Sequence, residues 1–291
     1  MAVARDSGFA QVSGARLHYE IWRNELAVAT EDLGTDATPT SGEPLVLIHA
    51  GIADGRMWDR QLDVFAGRRR TVRYDMRGFG GSKVAERVPY SHHEDLRGLL
   101  DVLDVGRALL VGCSMGAKTA IDFALEFPER TRALVLVGPT VGGFEPAVDP
   151  PQELDELVAA EEADDLERLS ELEVRVWVEG PYRDPGSVDP AVRDLVLDMN
   201  LIALKNEASG VGDERPLEQP AVNKLPEIRV PTLVVVGDLD LPETVASADL
   251  LEERLPNARK VVMPGTAHLP NMERPEDFNR IVLGFLDELD G

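Results

Sequence analysis

Apolar and polar positions change their period several times along the chain, and the changes mark out its elements. Residues Phe9 to Trp22 alternate as a half-buried strand does, and Gly14 in their midst predicts a two-stranded hairpin. From Asn24 to Gly42 the pattern dissolves into Thr, Gly, Asp and Pro, ending on Thr38-Pro39-Thr40-Ser41-Gly42, which predicts a polar surface insertion. Beyond it come continuous apolar runs: Leu45 to Ile48, Thr71 to Tyr74, Leu109 to Gly112, Ala133 to Val137 and Thr232 to Val236. Runs of this kind belong to strands covered on both faces of a parallel sheet. Amphipathic segments lie between them, near Met57 to Phe65, His93 to Leu103, Met115 to Phe127, Pro242 to Leu255 and Pro275 to Leu286. The alternation predicts an α/β fold with a mostly parallel central sheet flanked by helices.

The rhythm stops between Val141 and Asn223, where Glu, Asp and Leu recur at helical spacing with no long strand-like run. The expected organisation is a core formed by residues 1–140 and 224–291, interrupted by a helical cap over residues 141–223. Acidic stretches such as Glu161-Glu162-Ala163-Asp164-Asp165 read as a solvated helix face.

A formal net charge of −23 repels phosphate backbones and anionic headgroups, so neither a nucleic acid nor a membrane is expected as partner. No apolar run approaches the roughly 20 residues that cross a bilayer. The first residues, Met1 to Gly14, lack a basic segment followed by an apolar stretch, and a cytoplasmic location is expected. The single cysteine, Cys113, cannot form an internal disulfide and reads as a buried packing residue.

Chemistry concentrates in Gly112-Cys113-Ser114-Met115-Gly116, directly after an apolar run and directly before the helix-like Ala117 to Ile121. A G-x-S-x-G segment between strand and helix has the form of a nucleophile elbow. The sharp turn lifts the serine hydroxyl off the sheet, glycines allow close backbone approach, and the helix N-terminus offers N–H groups to developing negative charge. Serine needs a base, which in this arrangement follows the nucleophile in chain order. His18, His49, His92 and His93 precede Ser114, leaving His268. The orienting acid should fall between the two at a strand tip, where Val236-Gly237-Asp238-Leu239-Asp240 supplies two carboxylates.

With these residues the chain resembles the α/β-hydrolase superfamily, over nearly its whole length outside the polar insertion and the cap. The resemblance carries the second acid of G-D-x-D, Asp240, into a triad with Ser114 and His268, and Asp238 into shaping the turn. Further landmarks are His49-Ala50-Gly51-Ile52, Met57-Trp58 and Asp75-Met76-Arg77-Gly78-Phe79-Gly80-Gly81-Ser82. They imply an oxyanion hole from the N–H groups of Gly51 and Met115; Ala50 departs from the usual glycine and leaves Ile52 as a rival donor. His49 is expected to support this loop. Ile52, Trp177 and Met199 are expected to contact substrate, the last two from the cap.

The implied chemistry is acyl transfer to water without a metal or organic cofactor, and none of the common metal or dinucleotide motifs occurs. Serine at the elbow argues against the dehalogenase and epoxide-hydrolase branches, which use aspartate. The His-Gly-Gly-Pro-Gly loop of proline iminopeptidases is missing. Leu269 and Pro270 follow His268 where ring-cleavage-product hydrolases commonly carry tryptophan, so carbon–carbon cleavage ranks lower. His268-Leu269-Pro270-Asn271-Met272-Glu273-Arg274-Pro275 is more similar to enol-lactonases, carboxylesterases and cofactor-free perhydrolases. The expected substrate is a small carboxylic ester or lactone. Alternatives of the same fold are a carbon–carbon hydrolase, a perhydrolase or a non-catalytic binding member. The net charge favours a neutral, substantially apolar substrate, Arg77 being read as structural.

Overall fold

The computed structural model describes residues 3–24, 42–149 and 152–291, so the predicted polar insertion, apart from its end residues Asn24 and Gly42, lies outside the described residues. The alternating segment is a hairpin of β1 (Val3–Val12) and β2 (Ala15–Asn24), paired antiparallel from Val3 opposite Asn24 to Val12 opposite Ala15. Gly14 takes φ 68° in its turn, which a residue with a Cβ rarely adopts.

The apolar runs become β3 (Leu45–Ile48), β4 (Thr71–Tyr74), β6 (Ala108–Cys113), β7 (Thr131–Val137) and β8 (Thr232–Gly237), joined by the more exposed β9 (Ala258–Met263). A two-residue strand, β5 (Lys83–Val84), pairs with Ala15 and Arg16. Among the described residues one sheet runs in the order β1-β2-β4-β3-β6-β7-β8-β9, parallel from β4 onward, with β2 antiparallel to both neighbours.

Successive strand residues face opposite sides, and both sides are buried. Val46, Ile48, Val72, Leu110, Leu134 and Val234 form one core; Leu45, Leu47, Leu109, Val111, Val135 and Leu233 form the other. Burying each such side chain contributes about 1.5–3 kcal/mol, which is why these strands carry no polar alternation.

A 3-10 turn, Gly55–Trp58, leads into α1 (Asp59–Ala66), and Asp54 caps that turn by accepting from Arg56 N–H at 2.9 Å. There follow α2 (His92–Val102), α3 (Met115–Glu126), α4 (Leu154–Glu162), α5 (Leu166–Glu173) and α6 (Pro190–Ala208). The chain ends with α7 (Pro242–Arg254), the short α8 (Pro270–Glu273) and α9 (Pro275–Asp290). Leu96 and Leu99 of α2, Phe123 of α3 and Leu251 of α7 close the first core; Leu62 and Phe65 of α1 and Phe278 and Val282 of α9 close the second.

The segment between β7 and β8 is helical. Asp165 and Asp189 start α5 and α6 by accepting backbone N–H bonds from Arg168 and Ala191. Between these helices Val174–Glu179 winds as a π-helical turn that ends at Gly180, φ 78°. Glu179, buried at its end, gathers Arg175, Arg193 and the Gly186 N–H.

Candidate active site

The elbow is built by close packing. A methyl group on residue 116 would lie 2.4 Å from the Ile48 carbonyl oxygen, and one on residue 112 would lie 2.2 Å from that of Gly116, so both positions require glycine. Between them Ser114 takes φ 53° and ψ −113°, a sparsely populated conformation that the surrounding ladder holds. Its N–H donates to the Val137 carbonyl at 2.9 Å and its carbonyl accepts from Lys118 N–H at 3.0 Å. The serine is thereby fixed between the end of β7 and the start of α3.

His268 reaches the same strand end from the other side. Gly138, the residue after β7, has φ 47°, and a Cβ there would lie 3.1 Å from His268 Nδ1, so glycine leaves room for the imidazole. Nδ1 sits 3.0 and 3.1 Å from the two carboxylate oxygens of Asp240, and both side chains are almost fully buried. A carboxylate only accepts, so Nδ1 is the nitrogen that donates to Asp240. Asp240 Oδ1 also accepts from Leu241 N–H at 2.8 Å, which fixes the carboxylate. Asp238 is exposed and accepts from Gly265 N–H at 2.6 Å. Of the two acids, Asp240 is the one brought to the histidine. Gly237 lets these loops meet: a Cβ there would stand 2.2 Å from the Thr266 carbonyl oxygen.

The loop after β3 faces the elbow. Ala53 N–H donates to the Ala50 carbonyl at 3.1 Å, making Gly51 and Ile52 the central residues of a turn. A Cβ on Gly51 would lie 3.7 Å from Met115 Cβ, so these two backbones confront each other. His49 props the turn: Nδ1 donates to the Ala50 carbonyl at 2.8 Å and Nε2 accepts from Met76 N–H at 2.9 Å. Burial lowers its pKa, and both nitrogens are used.

The ring of Trp177 packs on that of His268, with centroids 4.9 Å apart. Met199 is completely buried, its sulfur accepting from Asp54 N–H at 3.4 Å, and Ile52 is 9% exposed. Arg77 is buried under the ring of Tyr90 and donates to Asp95 through two bonds of 2.8 Å and to the Ser13 carbonyl, while its Nη1 has no partner among the described residues. Cys113 is buried behind the site, where burial pushes its thiol well up.

A cavity of about 220 Å³ opens beside Gly51 and Met115, lined also by Phe79, Tyr90, His92, Leu204 and Val211 and by Glu173, Asn200, Glu207 and Glu214. This lining is mixed in character, and Arg77 belongs to it, whereas Ile52, Trp177 and Met199 do not line it. A larger groove, about 670 Å³, lies by His18, Glu20, Arg73 and Asp75, where Arg73 pairs with Glu20 and His18 with Asp75. Its charges are mutually satisfied and it excludes the elbow residues. Among the described residues no helix is long and apolar enough to cross a membrane. Among the same residues no group of three or more His, Cys, Asp or Glu side chains is placed to hold a metal ion.

Two residues to which the sequence assigns no role, Glu273 and Arg183, also meet here. Glu273 Oε1 accepts from Ala267 N–H at 2.8 Å, and its Oε2 accepts from Arg183 Nη1 at 2.5 Å. Arg183 also donates to the carbonyls of Val178 and Glu179 at 2.7 and 2.6 Å, which ties the π turn carrying Trp177 to the loop carrying His268. Glu273 lies near His268 in the sequence, whereas nothing in the sequence marks Arg183.

Fold and site together define a hydrolase of the α/β class. Residues 45–281 match the model of the alpha/beta hydrolase family, and the chain belongs to that family. It is 32% identical over 276 residues to the 2-hydroxy-6-oxononadienedioate/2-hydroxy-6-oxononatrienedioate hydrolase of Burkholderia vietnamiensis, covering 90% of this chain and 91% of that protein. The enol-lactonase of Burkholderia xenovorans LB400 superposes with a TM-score of 0.74 at 24% identity, covering 96% of this chain and all of that one. A hydrolase from Pseudomonas aeruginosa PA01 superposes with a TM-score of 0.73 at 27% identity, covering 97% and 98%.

Proposed function

We propose that the protein is a serine hydrolase of small carboxylic esters or lactones, acting through an acyl-enzyme on Ser114. The observation that carries this reading is the buried Asp240–His268 pair, 3.0 Å apart, at the strand end that also anchors Ser114. Ser114 Oγ attacks the carbonyl carbon while His268 Nε2 takes the hydroxyl proton. Asp240 holds the Nδ1–H and so keeps the tautomer that can accept it. The N–H groups of Met115 and Gly51 receive the oxyanion, and the proton on Nε2 passes to the leaving alkoxide. Water then attacks the acyl-enzyme with the same base, releasing the acid and restoring Ser114.

In this reading residues 141–223 act as the cap. Trp177 covers the imidazole and shields it from water, while Ile52 borders the acyl group; Met199 acts through the packing of the Asp54 turn. A second reading, carbon–carbon cleavage of a ring-opened dicarboxylate, is favoured by the 32% identical relative, whose named substrate is a dioate. Against it stand the carboxylates of Glu173, Glu207 and Glu214 in the cavity lining, although Lys118 pairs with Glu214 and Arg77, bonded to Asp95, lines the same cavity with its Nη1 unpaired among the described residues. Turnover of esters, lactones and ring-cleavage products by the purified protein separates the two. Hydrolysis of esters or lactones, abolished in Ser114→Ala, supports the first; turnover of the dicarboxylate alone replaces it with the second.

A further inference from the structure

β3 and β4 leave the sheet side by side, because Ile48 stands opposite Tyr74 in their parallel register. The residues that follow, His49 to Gly55 after one strand and Asp75 and Met76 after the other, are therefore neighbours. Met76 N–H donates to His49 Nε2 at 2.9 Å, and Gly55 N–H donates to Asp75 Oδ1 at 2.8 Å. Two adjacent residues beyond β4 thus hold both ends of residues 49–55, the loop that carries Gly51 and Ile52. Arg73 adds a third point, its Nη1 donating to the Gly55 carbonyl at 2.8 Å.

Asp75 is itself locked in place. Its N–H donates to the His18 carbonyl at 2.9 Å, and its carbonyl accepts from Ser82 Oγ at 2.6 Å. Its Oδ2 accepts from Gly81 N–H at 2.8 Å and from His18 Nδ1 at 3.1 Å. A Cβ on Gly80 would lie 2.5 Å from the carboxylate carbon, and one on Gly55 would lie 2.9 Å from Oδ1, so both chains pack against the carboxylate as closely as glycine allows. Burial pushes its pKa up, but the bond from His18 and those from Gly81 and Gly55 N–H hold it below the ordinary carboxylate value. The Gly55 N–H therefore meets an ionised acceptor, whose hydrogen bonds are about twice as strong as neutral ones.

Gly51 has no side chain of its own to fix it, so the direction of its N–H depends on how the loop around it is held. Asp75 lines the groove by His18 and not the cavity beside Gly51 and Met115, which leaves it no direct part in the chemistry. We infer that Asp75 is a positioning residue for the oxyanion turn: by holding Gly55 it keeps the Gly51 N–H aimed at the place where the oxyanion forms. The inference rests on the hydrolytic reading above.

The test compares wild type with Asp75→Ala and Gly55→Ala on a small ester that the wild type hydrolyses. Asp75→Ala deletes the acceptor, whereas Gly55→Ala leaves the carboxylate in place and pushes the turn away from it. Fluorophosphonate titration to completion counts the active sites, so rates refer to folded protein alone. Per titrated site, kcat should fall about 10²-fold in Asp75→Ala, the cost of a 1 Å misplacement, and at least about tenfold in Gly55→Ala, while KM stays within about threefold. A boronic acid, whose tetrahedral adduct on serine places an oxygen where the oxyanion forms, should lose affinity in step with kcat. A merely structural role would lower the number of titratable sites and leave both readouts unmoved. Values of kcat per site within about threefold of wild type in both variants, or a loss of kcat that leaves boronate affinity intact, overturn the inference. If Asp75→Ala yields no titratable sites, Gly55→Ala decides by the same criteria. If the wild type hydrolyses no ester, the hydrolytic reading fails, and amide hydrogen exchange in Asp75→Ala and Gly55→Ala decides the positioning separately. Faster exchange across residues 49–55, with residues 112–118 still protected, supports it; unchanged exchange overturns it.

Discussion

Replacing Glu273 by alanine removes two bonds at once. Ala267 N–H loses its acceptor beside the candidate base, and Arg183 loses its only carboxylate among the described residues. Both side chains are largely buried, 7% exposed for Glu273 and 13% for Arg183, so solvent does little to screen the loss. Breaking a buried pair by deleting one partner costs about 3–5 kcal/mol. Arg183 keeps its two carbonyl acceptors, which places the expected cost of Glu273→Ala near the lower end, about 3 kcal/mol. Glu273→Gln retains an acceptor for Ala267 N–H and should cost about 1–2 kcal/mol, the difference between a charged and a neutral hydrogen bond. Arg183→Ala should fall between them, and the double mutant should show a coupling of at least about 1 kcal/mol. Urea unfolding measures all four. Since Ala267 precedes His268, Glu273→Ala should also lower kcat more than Glu273→Gln under conditions where both are fully folded; a misplacement of 1 Å costs about 10²-fold. A Glu273→Ala protein within 1 kcal/mol of wild type, together with additive behaviour toward Arg183→Ala, would refute the idea that this pair joins the two segments.

Asp240→Asn should reduce kcat by up to about 10⁴-fold through the wrong imidazole tautomer, whereas Asp238→Asn, whose side chain accepts from Gly265 N–H, should cost less than about tenfold; equal losses in steady-state rates contradict this. Gly237→Ala drives a Cβ to 2.2 Å from the Thr266 carbonyl oxygen and 2.4 Å from that of Ala267, both backbone, so it should destabilise by about 1–3 kcal/mol and lower kcat by parting Asp240 from His268. Burial lowers the pKa of His92 from 6.5 to about 4, so the unfolded chain takes up its proton first. The stability this group contributes is full above about pH 6.5 and is lost as pH falls toward about 4. In thermal or urea unfolding wild type should lose stability relative to His92→Phe as pH falls through that window; parallel curves contradict it.

The sequence is most informative where one residue type has a single physical reason to be present. Leu45–Ile48 and Thr232–Gly237 announce buried strands because both faces are covered. Gly112 and Gly116 announce the elbow because no other residue fits between Ile48, Ser114 and the helix start. Val174-Arg175-Val176-Trp177-Val178 shows the converse: it alternates like a strand yet forms a π turn, held by the arginines gathered on Glu179. The acid cluster of the inserted helices reads as a solvated face, but which carboxylates turn inward depends on how α5 and α6 pack, and only the fold sets Glu173 and Glu207 beside one cavity. Arg183 and Glu273 are separated by 90 residues, so their contact is a product of tertiary packing with no local signature.

The central claim is that Ser114 forms the covalent intermediate. Incubating the purified protein with a fluorophosphonate, followed by digestion and peptide mass mapping, measures this directly. The account predicts a single adduct on the peptide containing Ser114, blocked in Ser114→Ala and strongly slowed in His268→Ala. An adduct on another residue, or undiminished ester hydrolysis by Ser114→Ala, would contradict it.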